Sequence, residues 1–167
     1  MLIQQKQAIF PLCDVNLDFT ASAELNSFSM KNYNHAAVFI QVASTLAFGI
    51  GASAPILSLE CATSDSGDTV DATFHYSVNT ASAAVLSTVM SWSADATSSA
   101  LSNATVGDWA GHTILLQIDG DELPSTSTGK VYDWITVDFT NATTGTISAW
   151  AVLSEPRYAG ASMPIAV

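Results

Sequence analysis

The chain is built from short runs of β-branched, aromatic and small apolar residues, cut at intervals by clusters of Gly, Asn, Asp, Ser and Thr. Nowhere does it sustain the 3.6-residue period of a long amphipathic helix. That punctuation limits the fold more than any other feature. Residues 13–20 alternate almost strictly, with Cys13, Val15, Leu17 and Phe19 on one side and Asp14, Asn16, Asp18 and Thr20 on the other, as in a half-buried strand. Further strands are predicted over 27–31, 35–43, 56–62, 73–78, 85–92, 112–119, 131–139 and 146–153. The run 35–43 is apolar on both parities and reads as a strand covered on two faces. Residues 63–68 form a turn cluster, and 98–104 are left open between loop and short helix. About nine short strands at this spacing indicate an all-β fold, a β-sandwich or a barrel. We take a sandwich over residues 1–153, its topology open between jelly-roll and immunoglobulin-like, with an extended C-terminal arm over 154–167.

Composition narrows the function classes. Four Lys and Arg against fifteen Asp and Glu give a net charge of −11, which excludes a basic nucleic-acid binder because phosphates need cationic partners. Only 11% of residues are charged and 49% are hydrophobic, so disorder driven by charge is excluded as well. Ser and Thr, at 21 and 17 residues, supply most of the polarity. Residues 36–59 carry no charge and are long enough to cross a bilayer. Gln41, Ser44, Thr45, Ser53, Pro55 and Ser58 interrupt them, so two strands joined by an apolar loop are expected and no membrane partner. The first ten residues show no apolar run of export-signal length. Cys13 and Cys61 are in no metal spacing and are expected as reduced thiols buried in strands.

No arrangement of residues announces catalysis. His35, His75 and His112 lie about forty residues apart with no local pair, and are expected on strand faces or edges. The acidic groups Asp65/Asp68/Asp71 and Asp119/Asp121/Glu122 have the oxygen ligands a hard cation needs but not an EF-hand spacing; solvated hairpin tips are the expected use. No nucleophile-elbow, zincin or phosphate-loop motif is present. The expectation is therefore no catalytic residue, no metal and no cofactor. Trp92, Trp134 and Trp150 fall in alternating strands and are expected in the core. Trp109, between Gly107 and Gly111, is the candidate for a glycan contact.

Two segments look made for contact with other chains. Leu46, Phe48 and Ile50 sit in an apolar loop that would be a liability if exposed on a monomer. The tail from Ser154 stays apolar to Val167 while Pro156 and Pro164 interrupt regular pairing; Arg157, Tyr158, Met163, Pro164 and Ile165 are its candidate contact residues. The alternative is a tail that folds back on its own sandwich.

The stretch Lys31–Val42 (Lys-Asn-Tyr-Asn-His-Ala-Ala-Val-Phe-Ile-Gln-Val), its continuation into the apolar loop and a second strand, and Arg157–Ala161 (Arg-Tyr-Ala-Gly-Ala) with Pro164 resemble a family of small virion structural proteins of tailed bacteriophages. The resemblance implies a non-enzymatic structural protein, most simply a capsid decoration or cement protein with a β-sandwich body. It would bind the major capsid protein, and also itself, a trimer being one such assembly. Its location would be the outer capsid surface, reached from the host cytoplasm during assembly. A neck, tail or head-fibre adaptor and a carbohydrate-binding module using Trp109 are the alternatives.

Overall fold

The computed structural model describes residues 7–14, 16–18, 23–43, 57–65, 67–79, 92–102, 110–139 and 145–157. Thirteen strands are formed among them: β1 (Ala8–Pro11), β2 (Leu17–Asp18), β3 (Ala23–Glu24), β4 (Phe28–Ser29), β5 (Tyr33–Val42), β6 (Leu57–Ala62), β7 (Thr69–Asp71), β8 (Phe74–Val78), β9 (Ala96–Ser98), β10 (Ala100–Leu101), β11 (Thr113–Asp119), β12 (Trp134–Phe139) and β13 (Thr146–Pro156). They make two antiparallel sheets. The larger has the order β1-β13-β5-β11-β8-β9, with β2 also pairing β13. The smaller has the order β10-β6-β12-β3, with β4 pairing β12 and β7 pairing β6. The expected β-sandwich is the observed architecture. No described helix is long and apolar enough to cross a membrane.

Strand periodicity decides what lies between the sheets, since successive side chains point to opposite faces. From the larger sheet come Ala36, Val38, Ile40 and Val42 of β5, Ile114, Leu116 and Ile118 of β11, Ile147, Ala149, Ala151 and Leu153 of β13, and Phe74. The smaller sheet contributes Leu57, Leu59 and Cys61, Ile135, Val137 and Phe139, with Phe28 and Leu101. All are buried, and they form one continuous core. Cys61 is a free thiol within it, and burial pushes its pKa up to about 12. Cys13, also free, lies outside the strands and is only partly buried, where it was expected inside one. Its thiol is raised too, first by burial, against a backbone hydrogen bond at Ala149.

Several strand expectations change. The run 13–20 is not one strand: Asn16 takes a left-handed φ of 60°, which turns the chain, and among its described residues only Leu17–Asp18 pairs, with Thr146 and Ile147. The edge partner of β13 is instead β1, further upstream. Ser98–Ser102, left open as loop or helix, carries the end of β9 and then β10. Strand β5 is not covered twice; its second face, with Ala37 and Phe39, is only half-buried. Strand β13 runs to Pro156, paired with Tyr33, so the sheet continues past Leu153, the expected end of the body. The segment 85–91 lies outside the described residues.

Candidate functional site

The outward face of the larger sheet is where the surface departs from an ordinary solvated sheet, which alternates apolar-in with polar-out. The register places Pro11, Trp150, Phe39 and Leu115 in one row across four adjacent strands. The next row is Ile9, Val152 and Ala37, continuing into Gln117, His75 and Thr97. Ile9 is 59% exposed, Pro11 is exposed, and the other apolar members are half-buried. The Phe39 and Trp150 rings are stacked at 5.8 Å with 12° between their planes, a near-parallel pair across adjacent strands. The result is an apolar strip about four strands wide, built from positions whose neighbours in sequence form the core.

The three tryptophans expected in the core, Trp92, Trp134 and Trp150, are not core residues. Trp92 is 38% exposed, and Trp134 and Trp150 are half-buried. In β13 the buried parity is odd-numbered (Ile147, Ala149, Ala151 and Leu153), so Trp150 is turned outward by register alone. Alternation identified the strand correctly but not which parity faces in.

The smaller sheet's outer side has the opposite character. Asp138 lies directly across from Glu24, and Glu60 across from Asp71. Ser27 and Thr136 hydroxyls meet at 2.9 Å on the same side. Burial, then the Glu24 and Asp71 charges, raise the Asp138 carboxyl above its ordinary value, against a backbone hydrogen bond at Phe139 that lowers it.

At one corner of the apolar face the larger sheet collects its histidines and acids. His35 at the start of β5 pairs in register with Asp119 at the end of β11, and its Nδ1 lies 2.6 Å from Asp119 Oδ1. His75 of β8 has Nδ1 at 2.7 Å from Asp95 Oδ2 and Nε2 at 3.2 Å from Glu122 Oε1. The other oxygen of Glu122 accepts the Asp119 N–H at 3.0 Å, closing the turn after β11. A cavity of about 210 Å³ is lined by His35, His75, Asp95, Gln117, Ile118, Asp119 and Glu122. Two of the three histidines thus meet in space although forty residues separate them in the chain. The third, His112, has Nδ1 at 2.7 Å from the Asn79 carbonyl oxygen. Asp119 and Glu122 of the acidic turn are tied up in these contacts, and no group of three or more described His, Cys, Asp or Glu residues is arranged to hold a metal ion.

Arg157 is the one candidate contact residue within the described residues. Its N–H donates to the Asn32 carbonyl at 3.0 Å and its Nε–H to the Tyr33 carbonyl at 3.1 Å. The guanidinium crosses directly over Gly120, where an added Cβ would come within 2.5 Å of Nη2. Gly120 N–H in turn donates to Asn34 O at 2.6 Å, so the guanidinium sits where a side chain at 120 would begin. A second cavity, of about 340 Å³, opens beside it between Asn34, Asp119, Gly120, Asp121 and Glu155. Leu46, Phe48, Ile50, Trp109, Tyr158, Met163, Pro164 and Ile165 lie outside the described residues.

Neither the apolar strip nor the histidine corner was named from the sequence. The strip had a signal, because Ala36–Val42 is apolar on both parities, and that was read as a second covering layer. For the corner, His35, His75 and the Asp119/Asp121/Glu122 turn were marked separately, but their meeting and the part of Asp95 had no signal, since strand order joins them.

No protein-family model matches the chain, and no curated protein matches it. Among solved structures, the crystal structure of the SPBc2 prophage-derived protein YomS aligns with a TM-score of 0.43 and 8% identity, covering 88% of this chain and 91% of that one. A likeness at that level transfers neither fold nor function.

Proposed function

We propose that this chain is a non-enzymatic structural protein of a bacteriophage particle, a capsid decoration protein that seats the outer face of its larger sheet on the major capsid protein. The observation that carries this reading is the apolar strip Pro11–Trp150–Phe39–Leu115 with Ile9 and Val152 beside it, on a chain of net charge −11. Sequence and geometry support it together. Contiguous apolar surface on a soluble protein marks an interaction site, and each apolar Å² it hides contributes about 25 cal/mol before the costs of association. The acidic opposite face suits exposure to solvent, and the charge keeps free copies soluble.

The partner chemistry follows from the strip's border. Asp95, Asp119, Asp121, Glu122 and Glu155 cluster at one end. A matching capsid surface would present an apolar ridge flanked by Lys or Arg, and two copies of this chain would instead bring acidic corners together. Repetition over a symmetric shell multiplies a modest single contact.

The test is saturation binding of the purified protein to capsids assembled without it, read by co-sedimentation. Decoration predicts copy numbers on the scale of the capsid lattice and loss of binding in Phe39→Ser and Trp150→Ser. Capsids that stay bare, or a handful of copies confined to the neck or tail, would overturn it.

A further inference from the structure

We infer that His75 is a pH-dependent clasp, an imidazolium that holds the edge strand β9 and the turn after β11 together in acid and releases them as the pH rises. The clasp is independent of the capsid reading, resting on the geometry at one corner of the sheet. Both ring nitrogens of His75 face carboxylates, Nδ1 toward Asp95 at 2.7 Å and Nε2 toward Glu122 at 3.2 Å. A carboxylate only accepts hydrogen bonds, and a neutral imidazole carries one N–H. Both contacts are hydrogen bonds only when both nitrogens are protonated. Loss of that proton turns one lone pair toward a carboxylate at the same distance, changing attraction to repulsion.

The groups around His75 all favour the charged ring. Asp95 precedes β9, Glu122 follows β11, and Asp119 ends β11 with its Oδ1 on His35 Nδ1 of β5, which lines the same cavity. Among the described residues no Lys or Arg lines this cavity. The His75 pKa is accordingly raised above its ordinary 6.5, first by the hydrogen bond to Asp95, partly offset by desolvation, and further by the Asp95 charge and by Glu122. A raised histidine contributes stability that is complete below its unfolded value of 6.5 and is lost as pH climbs through the folded value.

What the clasp holds is a weakly attached edge. Strand β9 has β8 as its partner, through Phe74↔Ser98, His75↔Thr97 and Tyr76↔Ala96. Further along, Asn79 bridges Trp92, so two residues of β8's line, Ser77 and Val78, face three of the other, Ser93, Ala94 and Asp95. That extra residue is a β-bulge, a device that breaks the ladder and re-aims a side chain. It falls within Ser93–Asp95, the run that ends in the carboxylate meeting His75. Within the bulge Ser93 N–H donates to Val78 O at 2.8 Å and Val78 N–H to Ser93 Oγ at 3.0 Å, and the His75–Asp95 pair adds a side-chain tie where β9 begins.

The experiment is an NMR titration of the His75 ring nitrogens from about pH 5 to about pH 9, bracketing the ordinary value of about 6.5, with hydrogen exchange of residues 96–98 followed over the same range. The expected result is a His75 midpoint above 6.5, both nitrogens protonated below it, and β9 protection falling through that midpoint while β1, at the other edge, follows only the intrinsic rate. The fall should approach tenfold for each unit by which the midpoint exceeds the ordinary value. Asp95→Asn should lower the midpoint more than Glu122→Gln, and His75→Gln should abolish the pH dependence of β9. A midpoint at or below 6.5, one nitrogen unprotonated in acid, or β9 protection with the same pH dependence in His75→Gln would each overturn the clasp.

Discussion

Phe39 and Ile40 are neighbours on β5 that the register sends to opposite sides of the larger sheet, and truncating each to alanine separates a core contact from a surface one. Ile40 is fully buried between the sheets, and Ala149 and Ile114 flank it in register. Its truncation removes three carbons from a closed interior, for which deletions of this kind cost about 2–5 kcal/mol, here about 3. Phe39 is half-buried on the outer face, stacked on Trp150. Its truncation loses the stack, about 0.5–1.5 kcal/mol, and some partial burial, but leaves no cavity between the sheets. A chain of this size shifts its melting temperature by roughly 2–4 °C per kcal/mol. Ile40→Ala should therefore melt roughly 6–12 °C lower and Phe39→Ala roughly 2–6 °C lower, each with a lower urea midpoint and an unchanged denaturant slope. The two variants also diverge in function: Phe39→Ala, although the more stable, should bind capsids less well than Ile40→Ala measured below its own melting point. Equal losses of stability would mean that β5 is covered on both faces. A larger loss at Phe39 would mean that the register is inverted, and the apolar strip would cease to be a surface.

Other consequences can be checked with less effort. Cys61, its thiol raised to about 12 by burial, should resist alkylation at neutral pH until the chain unfolds, and Cys13, less deeply placed, should react first; mass-resolved labelling against urea distinguishes them. Asn79 is buried and its Oδ1 accepts the Thr113 N–H at 2.9 Å, so Asn79→Leu should cost about 1–3 kcal/mol in urea unfolding by stranding that donor. Asp138, raised by burial and by Glu24 and Asp71, binds its proton more tightly folded than unfolded. It therefore disfavours the folded state at neutral pH and is relieved as pH falls through the raised value toward 3.8; Asp138→Asn should raise the melting temperature at pH 7 and lose that advantage in acid. Gly120→Ala should push the Arg157 guanidinium off its seat and leave most of the stability intact, because the nearest obstructing atom is the end of a flexible side chain; a loss above about 2 kcal/mol would mean that the Asn34 carbonyl, 3.3 Å from the added Cβ, cannot give way.

Much of the architecture was legible in the chain because strand formation is local. Short β-branched and aromatic runs, the turn chemistry at 63–68 and the absence of a helical period were enough for an all-β sandwich, and β6, β8 and β11 fall within a residue or two of where the pattern puts them. The expectation of no nucleic-acid partner rests on the low charge and the acidic balance alone, since composition needs no coordinates. Period-two alternation, however, fixes two faces without saying which is inside. In β5 and β13, where both parities are apolar or aromatic, only the packing of Ile135, Val137 and Leu59 from the other sheet chooses Val38, Ile40 and Ala151 as core and leaves Phe39 and Trp150 as surface. The left-handed Asn16 that ends the first alternation is likewise a property of the folded path. The meeting of His35, His75, Asp95, Asp119 and Glu122 depends on strand order, β5 beside β11 beside β8, which joins residues up to 87 positions apart in the chain and leaves no trace in local spacing.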